Sequence, residues 1–76
     1  MPRITYSRSS PRPEVIRAAR ERADLSQAVA AMMLHVTLTQ WGRWEAGSHA
    51  MPLAMFEHFL VLTDQHPKLV LRPRVL

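Results

Sequence analysis

Cysteine is absent from the sequence, so the chain can form neither a disulfide framework nor a cysteine-ligated metal site. No apolar run approaches the ~18–20 residues that span a bilayer, and the N-terminus lacks the apolar core of a secretory signal. Four histidines are present, but no two have the i, i+4 spacing of a helical metal site; they are His35, His49, His58 and His66. We therefore expect a cytoplasmic protein with no membrane association, no metal and no cofactor.

A catalytic constellation is also lacking. No nucleophile is paired with a base, and no two carboxylates have the spacing of an acid–base pair. The sequence therefore does not indicate an enzyme.

Positive charge is concentrated at the two ends of the 76-residue chain. The net charge is +4, yet residues 13–67 hold four basic side chains against six acidic ones. The excess lies in Arg3, Arg8 and Arg12 at one end and in Lys68, Arg72 and Arg74 at the other. Such ends are typical of contacts to nucleic-acid phosphates, although charged termini can also serve only to keep a small domain soluble.

The central stretch, residues 25–47, has the pattern of two short helices joined by a tight turn. Ser26 and Thr37 are good N-caps, and residues 34–36 between the helices are few enough to hold them at a steep angle. Behind Thr37, Trp41 and Trp44 share the inner face of the second helix, and Gly47 suits its end. Its outer face then presents Leu38, Thr39, Gln40 and Arg43.

The flanking segments complete one small domain. A helix is predicted from Pro13, with Ile16, Ala19, Arg20 and Ala23 on its inner face. Another is predicted from Pro52 to Thr63, with a wide apolar stripe. We therefore expect a flexible basic arm at residues 1–12, a helix-turn-helix domain at 13–67, and a C-terminal tail at 68–76.

Residues 13–63 resemble the DNA-binding domain of the Cro and phage-repressor (XRE-like) family of helix-turn-helix regulators. The matching residues are Arg20, Leu25-Ser26-Gln27, Ala31, Val36-Thr37, Trp44-Glu45-Ala46-Gly47 and Pro52. One departure is His35, where the family usually has glycine in the turn. The resemblance implies an all-α, compact, lambda-repressor-like fold of four to five helices, with the arm and tail outside it.

The resemblance also assigns roles to individual residues. Leu38, Thr39 and Arg43 would read bases in the major groove, with Arg43 bidentate to guanine. Contacts to phosphate would come from Gln27, Thr37 and Gln40, and the arm would add Arg3, Arg8 and Arg12. Arg20 would pair with Glu45, although an arginine on this face could instead extend to solvent along its aliphatic stem.

These observations predict a sequence-specific double-stranded DNA-binding repressor, acting as a homodimer on a palindromic operator and needing no small-molecule effector. The expected interface comprises Met55, Phe59, Leu62, Leu69, Val70 and Leu71, because the fourth helix carries more apolar surface than one small domain covers. The tail could instead complete the core of the monomer. The alternative function is an antitoxin-like interaction module that regulates its own operon. Small regulators of this type are common on plasmids and phages.

Overall fold

The computed structural model describes residues 10–68, which form four helices in sequence. They are α1 (Pro13–Arg22), α2 (Gln27–Met33), α3 (Leu38–Ala46) and α4 (Leu53–Leu62). No strand occurs in this part of the chain, which confirms the prediction of a small all-α helix-turn-helix fold. Of the expected functional residues, Arg3, Arg8, Leu69, Val70 and Leu71 lie outside the described residues.

Each helix begins where a local signal predicts it. Pro13 is the first residue of α1, and Glu14 lies beside it near the positive end of the helix dipole. The hydroxyl oxygens of Ser26 and Thr37 accept hydrogen bonds from the backbone N–H groups of Val29 and Gln40, at 3.1 and 3.0 Å. Both are therefore true N-caps of α2 and α3. Pro52 lies directly before α4.

All four helices end in the same way. The chain turns through a left-handed residue after each helix: Asp24, His35 and Asp64 at φ 59°, and Gly47 at φ 81°. The next N–H then bonds back across the last turn, as from Val36 to Ala31 O and from Ser48 to Arg43 O. This is the Schellman geometry, which satisfies carbonyls that a helix end leaves unpaired. The unusual His35 is thus accommodated by the same geometry that the domain uses at its other helix ends.

The core lies where the four helices and the α3–α4 loop meet. Trp41 and Phe59 are its largest fully buried side chains, with ring centroids 5.1 Å apart. Trp44 packs edge-on against Trp41 at 5.8 Å. The other buried residues are Ile16, Ala19, Ala30, Ala31, Leu34, Met51 and Phe56. The core therefore anchors α3 through both tryptophans. No helix within residues 10–68 is long and apolar enough to cross a membrane.

One expectation about an apolar residue was wrong. Phe59 was assigned to a dimer interface, but it is fully buried against Trp41 and has no surface to offer a partner. The spacing of apolar residues left the orientation of α4 undetermined. Met55 and Leu62 are only half-buried and pack at the edge of the core.

Candidate nucleic-acid interface

The second and third helices hold the candidate interface. The segment between Met33 and Leu38 contains only four residues, and its bond from Val36 N–H to Ala31 O closes the turn. Thr37 then caps α3 at once. Because so short a connection leaves little freedom, α3 is held at one angle to α2. The arrangement is a helix-turn-helix.

The two sides of α3 differ sharply. Trp41 and Trp44 are buried, whereas Thr39 and Arg43 are exposed and Leu38 is 53% exposed. The structure therefore places the three predicted base-reading residues on one outward face. Of the residues expected to contact phosphate, Thr37 lies exposed at the start of the helix, and Gln40 is half-buried at its edge.

Arg43 differs from Arg12 and Arg17 in having no carboxylate partner among residues 10–68. Arg12 lies 3.8 Å from Glu14, and Arg17 lies 3.2 Å from Glu21. The Arg43 guanidinium makes no hydrogen bond or ion pair to any other residue between 10 and 68. Its five N–H donors are therefore available to a ligand in front of α3.

Behind this face, one carboxylate joins three helices. Glu45 in α3 accepts two hydrogen bonds from Arg20 in α1, from Nε at 2.6 Å and from Nη2 at 3.1 Å. Arg20 also donates to the carbonyl of Leu25 at 2.9 Å. The side chains of Arg20 and Glu45 are only 14% and 6% exposed. The structure thus brings the two together as a bidentate pair, which fixes their relative orientation.

Two further donors complete the Glu45 site. Trp41 Nε1 donates to Oε2 at 2.5 Å, and Gln27 Nε2 donates to Oε1 at 3.0 Å. Burial alone would raise the pKa of Glu45, but the hydrogen bonds from Arg20, Trp41 and Gln27 outweigh it and hold this pKa below its ordinary value. The bond to Glu45 also raises the pKa of Arg20. Both groups are therefore charged at neutral pH.

These two additional contacts were not predicted from the sequence. The i, i+4 spacing of Trp41 and Glu45 on one helix was a signal that could have shown the first. Gln27 was expected to contact phosphate, yet its side chain is half-buried and its amide nitrogen is bonded to Glu45. This bond uses one of the two N–H donors of the amide, which leaves the second donor and the oxygen available to a ligand.

Comparison with known families agrees with this geometry. A family model described as a helix-turn-helix domain matches residues 14–71. This chain belongs to the helix-turn-helix domain family. The match covers α2, α3 and α4 in full and α1 from its second residue. The chain is therefore a DNA-binding regulator of the helix-turn-helix type. No curated protein matches the chain. The closer resemblance to Cro and phage repressors stays a prediction.

Proposed function

We propose that this helix-turn-helix protein is a sequence-specific transcriptional repressor that places α3 in the major groove of its operator. The observation that carries the proposal is the outward face of α3, where Leu38, Thr39 and Arg43 lie side by side and Arg43 has no partner among residues 10–68. The major groove is wide enough for a helix and presents a different pattern for each base pair. The helix α3 is held in place by the core, and the guanidinium of Arg43 can donate hydrogen bonds to the acceptors that the base edges present in this groove.

Each residue of this face has a role in the proposal. Arg43 donates two hydrogen bonds to guanine O6 and N7, the commonest specific contact of arginine. Leu38 and Thr39 contact neighbouring bases, and either can pack on a thymine methyl group. These contacts select the sequence.

A second group positions the protein without selecting sequence. Thr37 and Gln40 lie at the first turn of α3, next to the base-reading face, and Arg12 is exposed directly before α1. We assign these three, with Arg3 and Arg8, to phosphate. Gln27 joins them if its amide exchanges Glu45 for a phosphate oxygen, which leaves Glu45 still held by Arg20 and Trp41.

Selection of bound duplexes from a random pool tests the proposal. A repressor of this type should enrich one sequence, and footprinting should place protection in the major groove. A reporter whose promoter overlaps the enriched site should be silenced when the protein is expressed. Recovery of no common sequence would contradict specific binding. Enrichment of a sequence without silencing of the reporter would contradict repression but not specific binding.

Replacement of Arg43 tests its role in base reading. Arg43→Ala should cost about 1–3 kcal/mol on the selected duplex and relax the preference at one base pair. Arg12→Ala is the matched control, since it also removes one exposed arginine but should weaken selected and random duplexes equally. Titration of both variants on both duplexes by fluorescence anisotropy gives the comparison. Equal losses for Arg43→Ala on the two duplexes would mean that Arg43 acts only through its charge.

We further propose that the protein binds as a homodimer. One recognition helix contacts only a few base pairs, so two-fold pairing doubles the information read. It would also separate the half-sites by about 34–36 Å, one turn of DNA. The selected sequence should therefore be palindromic.

A further inference from the structure

Gly42 lies in the middle of α3, where the fold gives no reason for a glycine. A glycine in a helix interior destabilises the helix relative to alanine. A Cβ built on Gly42 would meet no atom within 4 Å beyond its two chain neighbours and the backbone of its own helix, so the residue does not relieve crowding against Trp44. Gly47 is different, because its φ is 81° and a Cβ there would lie 3.2 Å from Pro13. The folded chain needs Gly47 but tolerates a side chain at position 42.

The position of Gly42 on α3 indicates that the glycine serves DNA binding and not the fold. It follows Leu38 by four residues and Thr39 by three, so it shares their face of the helix, and it directly precedes Arg43. An open cleft of about 340 Å³ adjoins it, lined by Arg17, Arg20, Gln27, Glu45 and Ala46. The centre of the face proposed to meet DNA therefore has no side chain.

We propose that Gly42 is a steric determinant of DNA recognition, because its bare backbone lets α3 lie deep in the major groove. The inference rests on the proposed function. A Cβ would hold the helix further out by up to about the length of a C–C bond, roughly 1.5 Å. Thr39 has a short side chain and reaches base edges only if the helix lies deep, whereas Arg43 is long enough to reach from further out. Gly42 thus determines whether Thr39 takes part in reading.

A size series at position 42 tests the proposal. Gly42→Ala and Gly42→Gln both introduce better helix formers, so the thermal midpoint of the free protein should rise by roughly 4–8 °C. Affinity for the selected duplex should nevertheless fall, by about tenfold for Ala, comparable to a weakened base contact, and further for Gln. Affinity for random DNA should not change, because a non-specific complex is held by phosphate contacts.

Two controls separate groove depth from stability. Ala54→Gly, at an exposed position of α4, should lower the thermal midpoint without changing affinity for the selected duplex. Thr39→Ala should weaken binding in the wild-type background but have little effect when combined with Gly42→Gln, because Thr39 no longer reaches the bases there.

The outcomes distinguish this proposal from the proposed function. If the wild-type chain selects no duplex sequence, sequence-specific binding itself is wrong, and the role of Gly42 is wrong with it. If the wild type selects a sequence and Gly42→Ala binds it as tightly or more tightly, only the role of Gly42 is overturned. The proposed role of Gly42 would also be overturned if Thr39→Ala reduced affinity as much in the Gly42→Gln background as in the wild type.

Discussion

Glu45 illustrates how much of this fold depends on one side chain. Its carboxylate takes hydrogen bonds from Arg20, Gln27 and Trp41, on three different helices. Removing one partner of a buried ion pair leaves the other charge uncompensated. The site therefore couples the orientation of the base-reading helix to the rest of the domain.

Glu45→Gln should destabilise the protein by about 3 kcal/mol, because Arg20 loses its counter-charge in a site where both side chains are largely buried. Glu21→Gln is the control, since its pair with Arg17 is exposed and should contribute less than about 1 kcal/mol. Urea unfolding of both variants gives the comparison. A loss no larger for Glu45→Gln than for Glu21→Gln would contradict the coupling role.

The same substitution predicts a pH dependence. The pKa of Glu45 is lower in the folded chain than its ordinary value, so its stabilisation is fully present above the unfolded-state pKa of about 4.3 and is lost as the pH falls through the folded pKa. The free-energy difference between wild type and Glu45→Gln should thus be constant near neutral pH and shrink in acid. Urea unfolding from pH 7 downwards measures it. A difference that grows in acid would contradict a lowered pKa.

Part of this site was predictable from the sequence. The Arg20–Glu45 pair followed from the family resemblance, and the tryptophans were expected to be buried from their spacing. The hydrogen bonds of Gln27 and Trp41 were missed, because a side-chain amide or indole can find partners in many directions. Tertiary packing chooses among them.

At the level of the element, the helix ends were the most predictable feature. Pro13, Ser26, Thr37 and Gly47 all act locally, and each lies where its chemistry predicts. The rotation of α2 was not predictable, because seven residues rich in alanine and methionine have no clear apolar stripe.

The turn between α2 and α3 holds His35 in a strained backbone conformation, and the cost of this strain can be measured. His35 has φ 59°, a conformation that costs a residue with a Cβ about 1–2 kcal/mol. His35→Gly should therefore stabilise the protein by about 0.5–1 kcal/mol, after the greater entropy of unfolded glycine is offset. His49→Gly is the matched control, because His49 does not have a positive φ and should only lose stability. Thermal unfolding of both distinguishes them, and destabilisation by His35→Gly would show that the imidazole stabilises the turn.

At the level of the whole molecule, the fold leaves an apolar groove of about 490 Å³ between α1 and α4. Val15, Ala18, Phe56 and Leu60 line it, with Glu14 and Arg22 beside them. The sequence predicted surplus apolar surface on α4, yet none of the large apolar residues of α4 is exposed, and the exposed apolar side chain that lines this groove is Val15 of α1. With Phe59 excluded, we place the proposed dimer interface at this groove.

The lining of the groove suits a two-fold contact. In such a contact, residue i of one copy meets residue j of the other, and j meets i. Glu14 and Arg22 are eight residues apart on α1, about 12 Å along the axis. If the two copies of α1 lie antiparallel, each Glu14 faces the other copy's Arg22. Two ion pairs between Glu14 and Arg22 then flank the apolar centre of the interface.

This arrangement predicts the mass of the protein in solution. The wild type should sediment as a dimer at micromolar concentration. Val15→Lys should shift it towards monomer, whereas Val29→Lys should not, although both valines are 40% exposed in the free chain. Glu14→Arg and Arg22→Glu should each weaken the dimer by opposing like charges, and the double variant should recover it because the pairs are restored in reverse. A monomeric wild type would contradict the dimer, while a dimer indifferent to Val15→Lys and to the charge reversals would mean that its interface lies on another surface.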